Sequence, residues 1–392
     1  MPDRMHAVMT PYVESGAVPG LAWWVSRDGD VSRGALGTSH PGGAGDPVTP
    51  DTPFRISSTT KPITAVVAMT LVDDGTLSLD DPVDRWLPEL ADRRVVVDPE
   101  GDITHTVPAN RPILVRDVLE FRLGLGYDFS GAPTPVLDAL ERAGVHMGAP
   151  APQADPDPDT WMSTFAPFPL MYQPGERWLY NIGAEVLGVL VARASGSTLP
   201  DLMRERVLEP LGMRSTAFSV AADVAADVAA DVAADVARRL GPLWAPGEDG
   251  GDLAVYDEAD GQWSRPPAFP NGADGLVSTV DDLAAFGTMM LDGGRSPTGA
   301  QILASTTLRA MTTARVPLGE DGGGWGLGLG VDMTDQPDGR HAGAYGWDGG
   351  LGTSWWNDPV TRTTAVLVTN LTWTSPAPPE HFWAFWRTAF GS

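Results

Sequence analysis

Cysteine is missing from all 392 residues. That excludes disulfides, thiolate nucleophiles and Cys-ligated zinc. Lysine is almost missing too: of 26 basic residues, 25 are Arg and one is Lys61. No apolar run approaches 18 residues, so no membrane-spanning helix is expected. Residues 1–20 lack the basic, apolar, small-residue order of a secretory leader, and a cytoplasmic enzyme is the expectation. The six His form no His-x-x-x-His pair, so no metal site is expected. Cations are outnumbered, giving a formal net charge of −25. Such a surface favours solubility and argues against nucleic acid or anionic membrane as partners.

Hydrophobic residues make up 42% of the chain and include 14 Trp, ample for a packed core in one large or two medium domains. Residues 21–36 carry two apolar runs about Asp28-Gly29, a hairpin signal. Residues 58–73 are apolar at helical spacing. Pro62 fits only a first turn, so this helix begins near Ser58. Residues 183–195, 199–209, 281–291 and 379–390 read as helices. Residues 146–160 and 244–273 are rich in Pro, Gly and acids and read as loops. Ala-Ala-Asp-Val repeats four times over 221–236, a low-complexity segment. Residues 324–331, 352–356 and 363–371 read as strands. Strands at both ends with helices between predict one antiparallel sheet built by the ends, with a helical region inserted.

Ser58-Thr59-Thr60-Lys61 places a hydroxyl and an amine on one helix face, one turn apart. A serine hydroxyl is a weak nucleophile until a base takes its proton. Lysine serves as that base only where burial or a helix N-terminus favours its neutral form. Arg cannot do this, which gives the single Lys among 25 Arg its interest. The helix start also offers the Ser58 N–H to a developing oxyanion. Ser-x-x-Lys is an element of serine β-lactamases and penicillin-binding proteins.

The segment FRISSTTKPITA (54–65) resembles the first motif of the serine β-lactamase and DD-peptidase superfamily. The likeness is greatest to class C β-lactamases and the related family VIII carboxylesterases. Further segments match in order: VPGLAWWVSRDG (18–29), VRDVLEFRLGLGY (115–127), PGERWLYNIGAEVLG (174–188), GADGLVSTVDDLAAFG (272–287) and YGWDGGLGTSWWNDP (345–359). The likeness spans nearly the whole chain. It implies an α/β fold of the α+β type: a sheet part from residues 1–75 and 270–392, and a mostly helical part from 76–269.

The resemblance also implies roles. Tyr180 becomes the partner acid or base that shares a proton with Lys61. The Gly350 N–H becomes the second oxyanion donor beside Ser58. Lactam-recognising relatives carry Tyr-Ser-Asn, whereas this chain has Tyr180-Asn181-Ile182, a loss shared with the esterases. Asn181 is a candidate substitute amide. In the third motif the lactam-binding cation is replaced by Trp347, followed by Asp348, which is expected to face solvent, then Gly349 and Gly350. Trp347, Gly349, Tyr127 and Asn181 are the expected substrate contacts. Phe129, Trp161 and Trp325 are further candidates for an acyl pocket. The implied activity is cofactor-free hydrolysis of a small carboxylic ester through an acyl-enzyme. Amide or β-lactam hydrolysis and acyl transfer use the same residues, and a catalytically dead binding protein is the rival from another class.

Overall fold

The two apolar runs about Asp28-Gly29 form strands β1 (Gly20–Arg27) and β2 (Asp30–Gly37). Asp28 and Gly29 have φ of 50° and 89°, as a two-residue hairpin turn requires. The protein is described by a computed structural model covering residues 2–129, 132, 134–146, 148–220, 236–247 and 251–391. Most of the Ala-Ala-Asp-Val repeat, 221–235, lies outside the described residues.

Six strands from the far end of the sequence join the hairpin. They are β3 (Val316–Leu318), β4 (Gly323–Trp325), β5 (Gly330–Asp332), β6 (Tyr345–Gly349), β7 (Thr353–Asp358) and β8 (Thr363–Thr369). The sheet order is β2-β1-β8-β7-β6-β5-β4-β3, antiparallel throughout. The ends of the sequence meet where β1 pairs β8, with Trp23 opposite Leu367. The expected single strand over 324–331 is two strands, β4 and β5. Gly328, at φ 84° in the turn between them, lets the chain reverse.

Five helices frame the sheet and the site: α1 (Pro2–Glu14), α2 (Thr60–Asp73), α3 (Ile182–Ser195), α4 (Val280–Leu291) and α5 (Glu380–Phe390). Side chains alternate across the strands, so each face has its own core. On one face Leu21, Trp23, Val25, Ala365 and Leu367 pack with Met5 and Met9 of α1 and Phe382, Phe385 and Trp386 of α5. On the other face Ala22, Trp355, Val366 and Val368 join the larger core with α2, α3 and α4. Helix α1 is not announced by the sequence because Pro11 lies inside it.

All twelve residues from Thr60 to Leu71 of α2 are buried. A helix apolar on every side belongs in a core, and α2 lies against α3. Pro62 is its third residue, where a missing N–H leaves no intrahelical bond unmade. Residues 244–273, expected as loop, contribute the short pair Leu243–Ala245 and Ala254–Asp257. That pair carries Asp257, which neutralises buried Arg55 just ahead of the turn that carries Ser58. Among the described residues no single helix is long and apolar enough to cross a membrane. The helices Ile182–Ser195 and Leu199–Leu211 reach that length and composition only together, bent by 82°.

Candidate active site

The short strand Phe54–Arg55 pairs with Val277–Ser278 and delivers the chain to a 3-10 turn, Ser57–Thr59, that runs into α2. Ser57 sits at φ 46°, a left-handed conformation uncommon for a residue with a side chain. At this bend Ser57 and Thr59 are buried while Ser58 is half-buried. Lys61 follows one turn later and is 1% exposed. Its Nζ donates to Ser58 Oγ at 2.8 Å and to the Ala273 carbonyl at 3.0 Å. The amine also lies over the Tyr180 ring, 4.6 Å from its centroid. Among the described residues no carboxylate forms an ion pair with Lys61. The amine meets neutral acceptors and an aromatic ring.

Tyr180 is held by its backbone, which exchanges two 2.9 Å hydrogen bonds with Tyr127. Its hydroxyl accepts from Trp347 Nε1 at 2.8 Å. So the ring of Tyr180 faces the amine, while its oxygen is engaged by the β6 tryptophan. Trp347 in turn meets Trp325 edge-on at 4.7 Å. Phe129, 59% exposed, covers Tyr180 from outside at 5.3 Å between ring centres. Trp325 is fully buried and donates Nε1 to the Leu119 carbonyl. Trp161, expected near an acyl pocket, is instead buried in the main core against Phe165 and Phe269.

The end of β6 runs beside the Ser58 turn. A Cβ built on Gly349 would overlap Thr353 Oγ1 and the Ile56 carbonyl oxygen and come within 3.3 Å of the Ser58 nitrogen. Only glycine lets the strand approach this closely. Gly350 is exposed, with open space where a side chain would project. Among the described residues neither the Ser58 N–H nor the Gly350 N–H donates to another protein group. Two uncommitted amides at this junction are suited to a developing oxyanion. Asp348, expected at solvent, is half-buried on the opposite side of β6 from Trp347 and accepts from Trp356 Nε1 at 2.9 Å. Alternation along the strand places it there.

Asn181, expected at the substrate, is the residue before α3 and has φ 76°. Its amide donates to Glu185 Oε1 at 3.0 Å. Asn271 donates to the same oxygen at 3.3 Å. Burial, reinforced by Asp274 and Asp155, pushes the Glu185 carboxyl up to about 8. Burial also raises Asp274 to about 6, against the pull of Lys61. The motif reading missed Glu185, Asn271 and the Ala273 carbonyl. One signal was present: Glu185 is the single charge in the apolar run IGAEVLGVLV (182–191). Among the described residues no group of three or more His, Asp or Glu is placed to hold a metal ion.

This fold, with a serine at the start of a core helix and a buried amine beside it, defines a serine hydrolase. The chain belongs to the Beta-lactamase family, whose family model matches residues 5–384. It is 37% identical to Protein Rv1367c of Mycobacterium tuberculosis, over 81% of this chain and 77% of that protein. It is 30% identical to Esterase EstB of Burkholderia gladioli, over 96% of this chain and 92% of that one. Other relatives are named as acyltransferases. The solved structure of EstCE1, titled a hydrolase with promiscuous acyltransferase activity, has the same fold. Its TM-score is 0.81 at 24% identity, covering 99% of this chain and 98% of that one.

Proposed function

We propose that the protein hydrolyses carboxylic esters through an acyl-enzyme on Ser58. The observation that carries this reading is the 2.8 Å hydrogen bond between Lys61 Nζ and Ser58 Oγ, made by an amine almost wholly shielded from water. In its neutral form Lys61 takes the Ser58 proton as the oxygen attacks the ester carbonyl. The carbonyl oxygen, turning negative, is held by the Ser58 and Gly350 N–H groups. Tyr180 and Lys61 pass the proton to the leaving alcohol. The same groups then activate the water that releases the acid. The substrate enters between the sheet part (1–75 and 270–392) and the inserted part (76–269).

Ester preference rests on what surrounds the serine. Where a lactam-binding relative carries a cation, β6 presents Trp347, while Asp348 turns to the other side toward Trp356. Tyr180 and half-buried Trp178 extend the aromatic surface, backed by the buried rings of Trp325 and Phe121. Such a wall suits an uncharged acyl or alcohol group and gives a substrate carboxylate no partner. EstB, named an esterase, is the relative that supports this choice.

The test pairs p-nitrophenyl butyrate with nitrocefin and follows the protein by mass spectrometry. Butyrate release with a transient butyryl adduct on Ser58 is expected, and Ser58→Ala should give no adduct. Rapid nitrocefin turnover with no ester cleavage would reverse the ranking of ester over lactam. Acyl transfer is the second reading, favoured by the relatives named as acyltransferases. It predicts that added alcohol diverts the butyryl group from water into a new ester.

A further inference from the structure

We propose that Glu185 is a positioning residue. Through two asparagines it fixes both the turn after Tyr180 and the carbonyl that holds the Lys61 amine. The inference rests on the reading of Lys61 as the base for Ser58, and it adds the group that aims that base.

The geometry is a branched chain of hydrogen bonds anchored at one buried oxygen. Glu185 lies in the first turn of α3 and is 5% exposed. Its Oε1 accepts from Asn181 Nδ2 and Asn271 Nδ2. On the Asn271 branch, Asn271 Oδ1 accepts from the Ala273 N–H at 2.8 Å. The Ala273 carbonyl then accepts from Lys61 Nζ, which donates to Ser58 Oγ. On the Asn181 branch, the bond pins a residue whose left-handed backbone sets where Tyr180 ends and α3 begins. A non-glycine residue held in this region persists only where its surroundings compensate the strain. The side-chain bond to Glu185 is one such compensation.

The surroundings of the carboxyl favour its neutral form near neutrality. Asp274 lies on the turn that carries Asn271, and Asp155 and His146 on the loop over the site. Lys61 reaches it from α2, and Tyr127 from the segment paired with Tyr180. The carboxylates and burial oppose ionisation, and only Lys61 among the cations favours it. A neutral carboxyl still offers its carbonyl oxygen to both asparagines, so the scaffold needs no charge. Ionisation at higher pH would add a negative charge near Lys61 and stabilise its ammonium form, the form that cannot act as base.

Because Lys61 is the one lysine, protein grown on 15N-lysine gives one side-chain amine resonance, a direct reporter of this site. The experiment compares wild type, Glu185→Gln and Glu185→Ala. Gln keeps the accepting oxygen and mimics the neutral acid. The expected results begin with Glu185→Gln holding its ester kcat within about threefold of wild type at pH 7. Glu185→Ala should lose about 10- to 100-fold in kcat with KM within twofold, the scale of a misplaced catalytic group. The wild-type Lys61 resonance should show an inflection near pH 8 that vanishes in Glu185→Gln. The Gln to wild-type kcat ratio should rise by about threefold between pH 7 and 9.

An unchanged kcat in folded Glu185→Ala would overturn the proposal. So would a Lys61 resonance that follows pH identically in wild type and Glu185→Gln, or a Gln variant as slow as Ala at pH 7. Should Glu185→Ala not fold, the Gln variant and the resonance still decide. Wild-type protein that forms no adduct on Ser58 would sink the functional reading instead, and the resonance would judge Glu185 without turnover.

Discussion

Two groups of carboxylates back the active site, and they are neutralised in different ways. Behind β6, Asp332 and Asp338 pair with Arg340 at 3.3 and 3.1 Å. The Arg340 guanidinium lies over the Trp356 ring at 3.8 Å and near Trp386 at 5.3 Å. Asp348 joins this group through Trp356 Nε1. Beside α2, Glu185, Asp274 and Asp155 gather with no arginine among the described residues; Lys61 bears on Glu185 and Asp274, and His146 on Asp274 and Asp155. The first group has a permanent cation stacked on aromatics, an arrangement that suits a scaffold. The second has a cation that the proposed chemistry requires to lose its proton. On that proposal, the choice of Arg or Lys separates structural charge from working charge.

The comparison breaks first at Lys61. If the working cation must be deprotonated, Lys61→Arg keeps the charge and removes the base, and ester kcat/KM should fall by about 10²- to 10⁴-fold. Steady-state kinetics with p-nitrophenyl butyrate checks this, and an active Arg variant would dissolve the distinction.

Next in size is the scaffold cation. Arg340→Met leaves Asp332 and Asp338 without their buried partner and should cost about 3–5 kcal/mol in urea unfolding at pH 8. The pH dependence carries a definite sign. Burial pushes Asp332 up to about 7 and Asp348 up to about 6, above the ordinary 3.8. Groups raised in this way stay protonated in the fold where the unfolded chain has ionised, so their contribution, full below about 3.8, is lost as pH rises to 6 and 7. The Arg340→Met deficit should therefore shrink between pH 8 and pH 5.5. A deficit unchanged with pH would show that these carboxylates carry no unpaired charge in the variant.

The smallest effect lies on the Trp347 side of β6. Trp347→Phe keeps the aromatic wall and removes the N–H given to the Tyr180 hydroxyl. One such bond contributes about 0.5–1.5 kcal/mol, so kcat should drop by about two- to tenfold with little change in the urea midpoint. A loss confined to KM would assign Trp347 to substrate contact alone.

How much of this was legible follows from what each feature depends on. The β1–β2 hairpin is written locally, in Asp28-Gly29 between two apolar runs. The start of α2 is fixed by Pro62, and the placing of Ser58 and Lys61 on one face follows from helix geometry. The β4–β5 division was hidden because GWGLGLGV is apolar throughout, and only the φ of Gly328 marks the reversal. The burial of Asp348 was missed because strand alternation was not carried past Trp347. The Glu185 branch was beyond any local pattern: its two asparagines stand 90 residues apart, and only the folded chain brings them to one oxygen. Trp161 shows the opposite error, an aromatic read toward the site that belongs to the core.

Gly349 and Gly350 are neighbours with opposite freedom. Backbone presses against Gly349, whereas Gly350 faces open space. In a library randomised across both, survivors should be monomorphic at 349 and diverse at 350. That makes 350 a foothold for altering what the site accepts, since a side chain added there meets open space while the strand beneath keeps its seat on the Ser58 turn.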